Sequence, residues 1–128
     1  MVTQTVAIYD SGEYSTMVSA WHDCVYLTRR ANGTFTVKMH RRPVGDPGYA
    51  YLFRSRPFRT GKALLDALKE AEPQSTYESF DGDMDSLLDA AETLDATLAQ
   101  EARALLAACD WAEWKSGQVQ SVPMRRLD

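Results

Sequence analysis

A histidine and a cysteine stand two residues apart in the segment Trp21–Cys24, and both residue types bind metal ions or take part in catalysis. A zinc site draws on more ligands than His22 and Cys24 supply, and His40 is the only other histidine in the sequence. A nucleophilic pair of Cys24 with His40 would need an orienting group and an oxyanion site, and no pattern in the sequence indicates either. We therefore expect packing and surface roles here, and we predict no catalytic residue, no metal ligand and no cofactor.

The acidic segment Asp81–Glu92 is a second candidate, because it resembles the calcium-binding loop of EF-hand proteins. Its carboxylates stand at the ligand positions of such a loop: Asp81, Asp83, Asp85, Asp89 and Glu92. Ser86 replaces the glycine of the sharp turn, and Pro73 leaves little room for an entering helix. The alternative is a polar loop leading into a helix whose acidic first turn is favoured by the helix dipole. The sequence leaves calcium binding open.

Charge is distributed unevenly along the chain. Residues 1–62 contain nine Lys and Arg against four Asp and Glu, whereas residues 63–114 contain two against thirteen. The net charge of −4 therefore conceals a strongly polarised molecule. Such asymmetry bears on binding partners rather than on the fold.

The first half of the sequence has the alternating pattern of antiparallel strands. The strongest signal is a hairpin whose tight turn is Asn32-Gly33, because these residue types accept the positive φ that such turns require. A turn signal, Asp10-Ser11-Gly12, ends the first predicted strand. The predicted strands are Val6–Tyr9, Met17–Trp21, Val25–Arg30, Thr34–Arg41 and Tyr49–Arg56.

The second half has helical periodicity. Thr60 is a predicted N-cap for a helix that ends near Glu72, with Leu64, Leu65, Leu68 and Ala71 buried and Asp66, Lys69, Glu70 and Glu72 facing water. Residues 85–115 form either one long helix or two, with a break at a capping box made by Thr97 and Gln100. A tail from Gln118 is an edge strand or disordered.

These elements predict one α+β domain spanning residues 1–128. An antiparallel β-meander of three to five strands occupies residues 1–57, and two or three helices within residues 60–116 cover one of its faces. Phe35, Val37 and Met39 would point to the core, and the opposite face would be wet and basic.

The basic face suggests one function. Single strands of nucleic acid bind to sheets that combine cations with exposed aromatic rings, and Tyr26 and His40 accompany the cations here. Most aromatic residues, however, fall on the core side of the predicted strands. The candidate nucleic-acid-binding residues are Arg30, Lys38, Arg42, Arg54 and Arg56.

The acidic helical residues suggest another function, which we take as the main hypothesis. They would bind a basic site on a partner protein or nucleoprotein, with no catalysis. This size and charge profile resembles that of small inhibitors from phages and mobile elements, such as anti-CRISPR proteins, and of immunity proteins. The candidate residues are Asp66, Glu70, Asp81, Asp83, Asp85, Asp89, Glu92 and Asp95. Solubility alone also accounts for an acidic surface.

Localisation follows from what the sequence lacks. It has no signal-peptide pattern at its start and no apolar run long enough to cross a membrane. Its two cysteines, Cys24 and Cys109, are expected to be buried thiols rather than a disulfide. We therefore expect a cytoplasmic protein without a membrane partner, and the sequence does not indicate an oligomeric state.

Overall fold

The computed structural model describes residues 2–15, 19–45, 50–72, 80–117 and 124–126. Its sheet is antiparallel, and the described strands are neighbours in the order in which they occur along the chain. The predicted α+β class, with a sheet followed by helices, is confirmed. The elements are β1 (Gln4–Ser15), β2 (Ala20–Arg29), β3 (Phe35–Pro43), β4 (Ala50–Ser55), α1 (Gly61–Ala71), α2 (Met84–Leu94), α3 (Ala96–Ala108), α4 (Trp111–Ser116) and β5 (Met124–Arg126).

The β2–β3 hairpin forms where the sequence predicts it. Gly33 has a φ of 86°, and Asn32 Oδ1 accepts hydrogen bonds from the backbone N–H and the hydroxyl of Thr34. The backbone N–H of Arg30 donates to the Thr34 carbonyl at 2.7 Å and closes the turn. These local contacts set the register that places Cys24 opposite His40.

Strand β1 is longer than predicted, because Asp10-Ser11-Gly12 forms a bulge instead of ending it. Gly12 has a φ of 65°, and its N–H donates to Asp10 Oδ1 at 2.8 Å. The pairing with β2 shifts between Asp10 and Glu13 and then continues. The separate strand predicted over Met17–Trp21 lies partly outside the described residues, and Ala20 and Trp21 belong to β2.

Helix α1 begins as predicted: the Thr60 side chain accepts a hydrogen bond from the backbone N–H of Ala63 at 3.2 Å. The expectation that Asp66 faces water is wrong, because only 1% of this residue is exposed. Its neighbours Leu65 and Ala67 are also fully buried, so α1 is enclosed on more than one side. The predicted apolar stripe of α1 is buried throughout.

The region from residue 85 to 115 contains three helices rather than one or two. The first break is at Asp95, whose side chain accepts from the backbone N–H of Leu98 at 2.9 Å. The predicted capping box at Thr97 is therefore wrong, and the capping residue stands two positions earlier. A second break follows α3, where the Asp110 side chain caps α4.

The core lies between the helices and one face of the sheet. Its central strand residues Val25, Leu27, Val37 and Met39 are fully buried, together with apolar residues from α1 to α4. The N-terminal half of the predicted tail, residues 118–123, lies outside the described residues, and β5 pairs with β4. No helix in the described part of the chain is long and apolar enough to cross a membrane.

Candidate functional site

A polar pocket lies on the face of the sheet that points away from the helices. Strand pairing creates it, because Asp10 is opposite Cys24 and Cys24 is opposite His40. His22 is two residues from Cys24 on the same face and is opposite Arg42. We call this pocket, with a volume of about 440 Å³, the sheet pocket; it is lined by Asp10, His22, Cys24, Tyr26, His40 and Arg42.

His22 is the centre of the polar contacts in the sheet pocket. Its Nε2 lies 2.5 Å from Asp10 Oδ1 and 3.6 Å from Cys24 Sγ. Its Nδ1 lies 3.1 Å from Arg42 Nη2. Since a guanidinium is only a donor, Nδ1 is the acceptor, and a neutral imidazole then carries its proton on Nε2 and donates it to Asp10.

The pocket shifts the pKa values of its titratable groups. Hydrogen bonding from the Gly12 backbone N–H, together with His22, lowers the pKa of Asp10. Burial, followed by the Asp10 charge, raises the pKa of the Cys24 thiol above 9.0. Burial and the Lys38 charge lower the pKa of His40 below 6.5. At neutral pH the pocket therefore contains a carboxylate, a protonated thiol and a neutral His40.

This geometry opposes a nucleophilic role for Cys24. In a catalytic triad, the acid contacts one ring nitrogen of the histidine and the nucleophile contacts the other. Here Asp10 and Cys24 both lie next to Nε2 of His22. Asp10 therefore competes with the thiol for one nitrogen, and the raised pKa keeps the thiol protonated.

Three of the five predicted basic residues lie where the alternation places them, on the face of the sheet that points away from the helices, which we call the open face. Lys38 and Arg54 are opposite each other on β3 and β4, and Arg42 follows along β3. His40 lies between Lys38 and Arg42 along β3, and Tyr26 is opposite Lys38 on β2. The centroids of the Tyr26 and His40 rings are 4.9 Å apart. The other two, Arg30 and Arg56, are exposed just beyond the ends of β2 and β4.

The predicted acidic surface is less uniform than expected. Asp66 is buried beside Lys62, with 3.4 Å between Oδ2 and Nζ. Asp81 pairs with Lys115 at 3.0 Å. Asp95 caps α3 and lies 3.7 Å from Arg29.

Arg103 accounts for two more of the predicted acidic residues. It projects from α3 and pairs with both Asp89 and Glu92 of α2. Within the described residues, the structure gives no ion pair to Glu70, Asp83 or Asp85. The field of the acidic surface is therefore weaker than the sequence count implies.

The backbone of the acidic segment does not form a calcium loop. Residues 81–83 form a turn and α2 begins at Met84, so the segment is helical over most of the predicted loop. A helical backbone cannot wrap its side chains around one ion as the EF-hand loop does. The segment matches the alternative, a polar turn followed by a helix with an acidic first turn.

Sequence reasoning missed Asp10 as a member of the sheet pocket. The predicted strand ended before it, so nothing placed it beside His22. Its nearest signal was the Asx-type turn at Asp10-Ser11-Gly12, which the structure uses as a bulge within β1. Both cysteines are free thiols, and they are half-buried rather than buried as expected.

Comparison with known proteins finds no matching family model, no similar curated protein and no similar solved structure.

Proposed function

We propose that this protein is a non-catalytic binding protein whose open sheet face binds single-stranded nucleic acid. The observation that supports the proposal best is that the neighbouring rings of Tyr26 and His40 share one face of the sheet with three cations. Those cations are Lys38, Arg42 and Arg54. None of the described helices packs on this face.

The chemistry of the face suits a flexible polyanion. Phosphates bind to Lys and Arg, and bases stack on aromatic rings without regard to sequence. The lowered pKa of His40 keeps its ring uncharged at neutral pH, so it offers a stacking surface beside Tyr26. Arg30 and Arg56 extend the cationic track beyond the strand ends.

The net negative charge of the chain does not contradict this proposal. Most of its acids are on α1 to α4 and the turns between them, in the layer that covers the other face of the sheet. The acid of the sheet pocket, Asp10, is close to His22 and on the β1 side, away from Arg54. Local potential governs polyanion binding more than the total charge does.

The test is fluorescence anisotropy with a labelled oligothymidine and a labelled oligouridine in a salt series. The Arg54→Ala, Arg56→Ala double variant is expected to bind at least tenfold more weakly and to show a shallower dependence of affinity on salt. The matched control is Arg103→Gln, which removes a cation from the helical layer and should bind as the wild type does. Absence of binding at low salt, or equal loss in the control, overturns the proposal.

A second candidate function is binding of a basic partner through the acidic helical residues, which is the function that the sequence favours. Asp85, Asp89 and Glu92 follow one another at helical spacing and form one exposed stripe of α2. This stripe supports binding to a basic site on a cytoplasmic protein or nucleoprotein, in the manner of an anti-CRISPR or immunity protein. Arg103 offsets part of its charge, which is why we rank it second.

Charge reversal separates the two candidates. A lysate of the cells in which the protein occurs is passed over immobilised wild type and over the variant in which Asp85, Asp89 and Glu92 are replaced by Lys. A partner that wild type retains at low salt and that the variant loses supports the acidic stripe. A partner lost instead by the Arg54→Ala, Arg56→Ala variant supports the open sheet face.

A further inference from the structure

Three types of metal ligand converge at the β1 side of the sheet pocket. One ligand atom each from Asp10, His22 and Cys24 lies within 4.8 Å of the other two. The backbone produces this convergence, since Asp10 and Cys24 are register partners and His22 precedes Cys24 by one full pleat. This cluster takes no part in the proposed binding of nucleic acid, which uses the cations of β3 and β4.

We propose that Asp10, His22 and Cys24 form a zinc site with three protein ligands and a water in the fourth position. Zinc accepts carboxylate, imidazole and thiolate ligands together in one tetrahedral site. A calcium or magnesium site would be built from oxygen atoms, so the sulfur of Cys24 argues against those ions. This proposal does not depend on the proposed function.

The present distances are close to those of a tetrahedral site. With a Zn–N bond of about 2.0 Å and a Zn–S bond of about 2.3 Å, the nitrogen and sulfur of one site stand about 3.5 Å apart. His22 Nε2 and Cys24 Sγ are 3.6 Å apart. The 2.5 Å contact of Nε2 with Asp10 Oδ1 has to open, and the Asp10 side chain, which is 60% exposed, has room to move.

Binding rearranges protons at two residues. The Cys24 thiol loses its proton to solvent as the sulfur binds zinc, so one proton is released for each ion bound. The His22 proton moves from Nε2 to Nδ1 with no net change. Once Nδ1 carries the proton, it no longer accepts a hydrogen bond from Arg42. The Arg42 side chain is exposed and can turn away.

Charge balance favours the site once it is formed. The Asp10 carboxylate and the Cys24 thiolate together neutralise the charge of one zinc ion. His40 and Tyr26 line the other side of the pocket. Because the pocket lies on the open face of the sheet, the water in the fourth position exchanges with solvent from that face. An exchangeable fourth ligand distinguishes such a site from a closed structural zinc.

The experiment uses untagged full-length protein, stripped of metal with a chelator and then titrated with Zn²⁺ in competition with a chromogenic chelator. Wild type is expected to bind one equivalent with micromolar or tighter affinity. Cys24→Ser and His22→Gln are each expected to bind at least tenfold more weakly, and Asp10→Asn is expected to be weakened as well. Cys109→Ser is the matched control, because it removes the other half-buried thiol and should bind as wild type does.

Cobalt distinguishes this site from incidental binding elsewhere. Co²⁺ is expected to give a sulfur-to-metal charge-transfer band in wild type and in Cys109→Ser, and no such band in Cys24→Ser. Circular dichroism establishes whether each variant is folded. If Cys24→Ser is unfolded, the zinc affinity of Asp10→Asn, which changes an exposed side chain, tests the proposal instead. The proposal is overturned by affinity no better than millimolar, or by wild-type affinity in folded Cys24→Ser.

Discussion

The Arg41 guanidinium donates two hydrogen bonds to the Asp23 carboxylate, with Nε 2.8 Å from Oδ1 and Nη2 3.0 Å from Oδ2. The Tyr14 hydroxyl donates to the same carboxylate at 2.7 Å. Asp23 is fully buried and lies between His22 and Cys24 in the sequence. Because side chains alternate along β2, this network joins β1, β2 and β3 directly beneath the sheet pocket.

Removal of the Asp23 carboxylate is expected to destabilise the fold strongly. Asp23→Ala leaves the partly buried guanidinium of Arg41 without its acceptor, and we expect a loss of about 3 kcal/mol in the free energy of unfolding. Urea unfolding measures this loss, with Glu13→Ala of β1 as an exposed acidic control. The Asp23→Ala, Arg41→Ala double variant should lose less than the sum of the single losses. A loss below about 1 kcal/mol in Asp23→Ala would show that the pair contributes little.

Gly61 permits the close approach of α1 to α3. A Cβ atom at this position would lie 2.5 Å from the Ala102 backbone nitrogen and 2.5 Å from Glu101 Cβ. We expect Gly61→Ala to lower the free energy of unfolding by about 1–3 kcal/mol, because backbone has to move to relieve the overlap. In urea the midpoint should fall with little change in slope, whereas Gln100→Ala, on the exposed side of α3, should leave the midpoint in place. An unchanged midpoint in Gly61→Ala would contradict this close packing of α1 on α3.

The features that are predicted correctly from the sequence are determined by residues that are close together along the chain. Asn32-Gly33 and the Thr60 cap each need only the few residues around them, so the hairpin and the start of α1 are predicted without knowledge of the fold. Alternation along β3 likewise places Lys38 and Arg42 on one face. Register then follows from the hairpin turn.

The features that the sequence does not predict depend on partners far along the chain. Asp10 reaches His22 only because a bulge carries β1 onward, and the pattern Asp10-Ser11-Gly12 is equally typical of a turn. Asp66 has the spacing of an exposed helical residue, and its burial arises from elements that pack around α1. Arg103 meets Asp89 and Glu92 only when α2 and α3 are packed together.

Asp66 should make stability depend on pH. Burial raises the pKa of its carboxyl above the ordinary 3.8, an effect that the nearby Lys62 only partly offsets. The folded state therefore holds this proton more tightly than the unfolded state does. The resulting stabilisation is complete below pH 3.8 and is lost as pH rises through the folded-state pKa.

Asp66→Asn should remove this dependence, since the amide is neutral at every pH and its carbonyl can still accept from Lys62. Thermal melts of the variant and of wild type, compared from acid to neutral pH, are expected to diverge in favour of the variant as pH rises. Ser86→Ala, at an exposed position of α2 and without a titratable group, is the control and should differ from wild type by the same amount at every pH. A gap between Asp66→Asn and wild type that stays constant would mean that the buried carboxyl does not titrate in this range.

Loss of the Arg42 guanidinium should weaken the binding of nucleic acid to the open sheet face and strengthen the binding of zinc there. It supplies a cation for nucleic acid, and it also donates to Nδ1 of His22, which keeps the proton on the nitrogen that zinc would bind. We expect Arg42→Gln to bind labelled oligothymidine several-fold more weakly. The same variant should bind zinc several-fold more tightly, because His22 is free to carry its proton on Nδ1 and a nearby positive charge is gone.

The matched control for this prediction is Arg54→Gln, which removes a cation from the same face at a position on β4 away from His22. It should weaken binding of oligothymidine as Arg42→Gln does and leave the zinc affinity unchanged. Weaker zinc binding in Arg42→Gln would mean that the guanidinium supports the ligands instead of competing with the metal. Equal gains in zinc affinity in both variants would point to general electrostatics rather than to the Arg42–His22 contact.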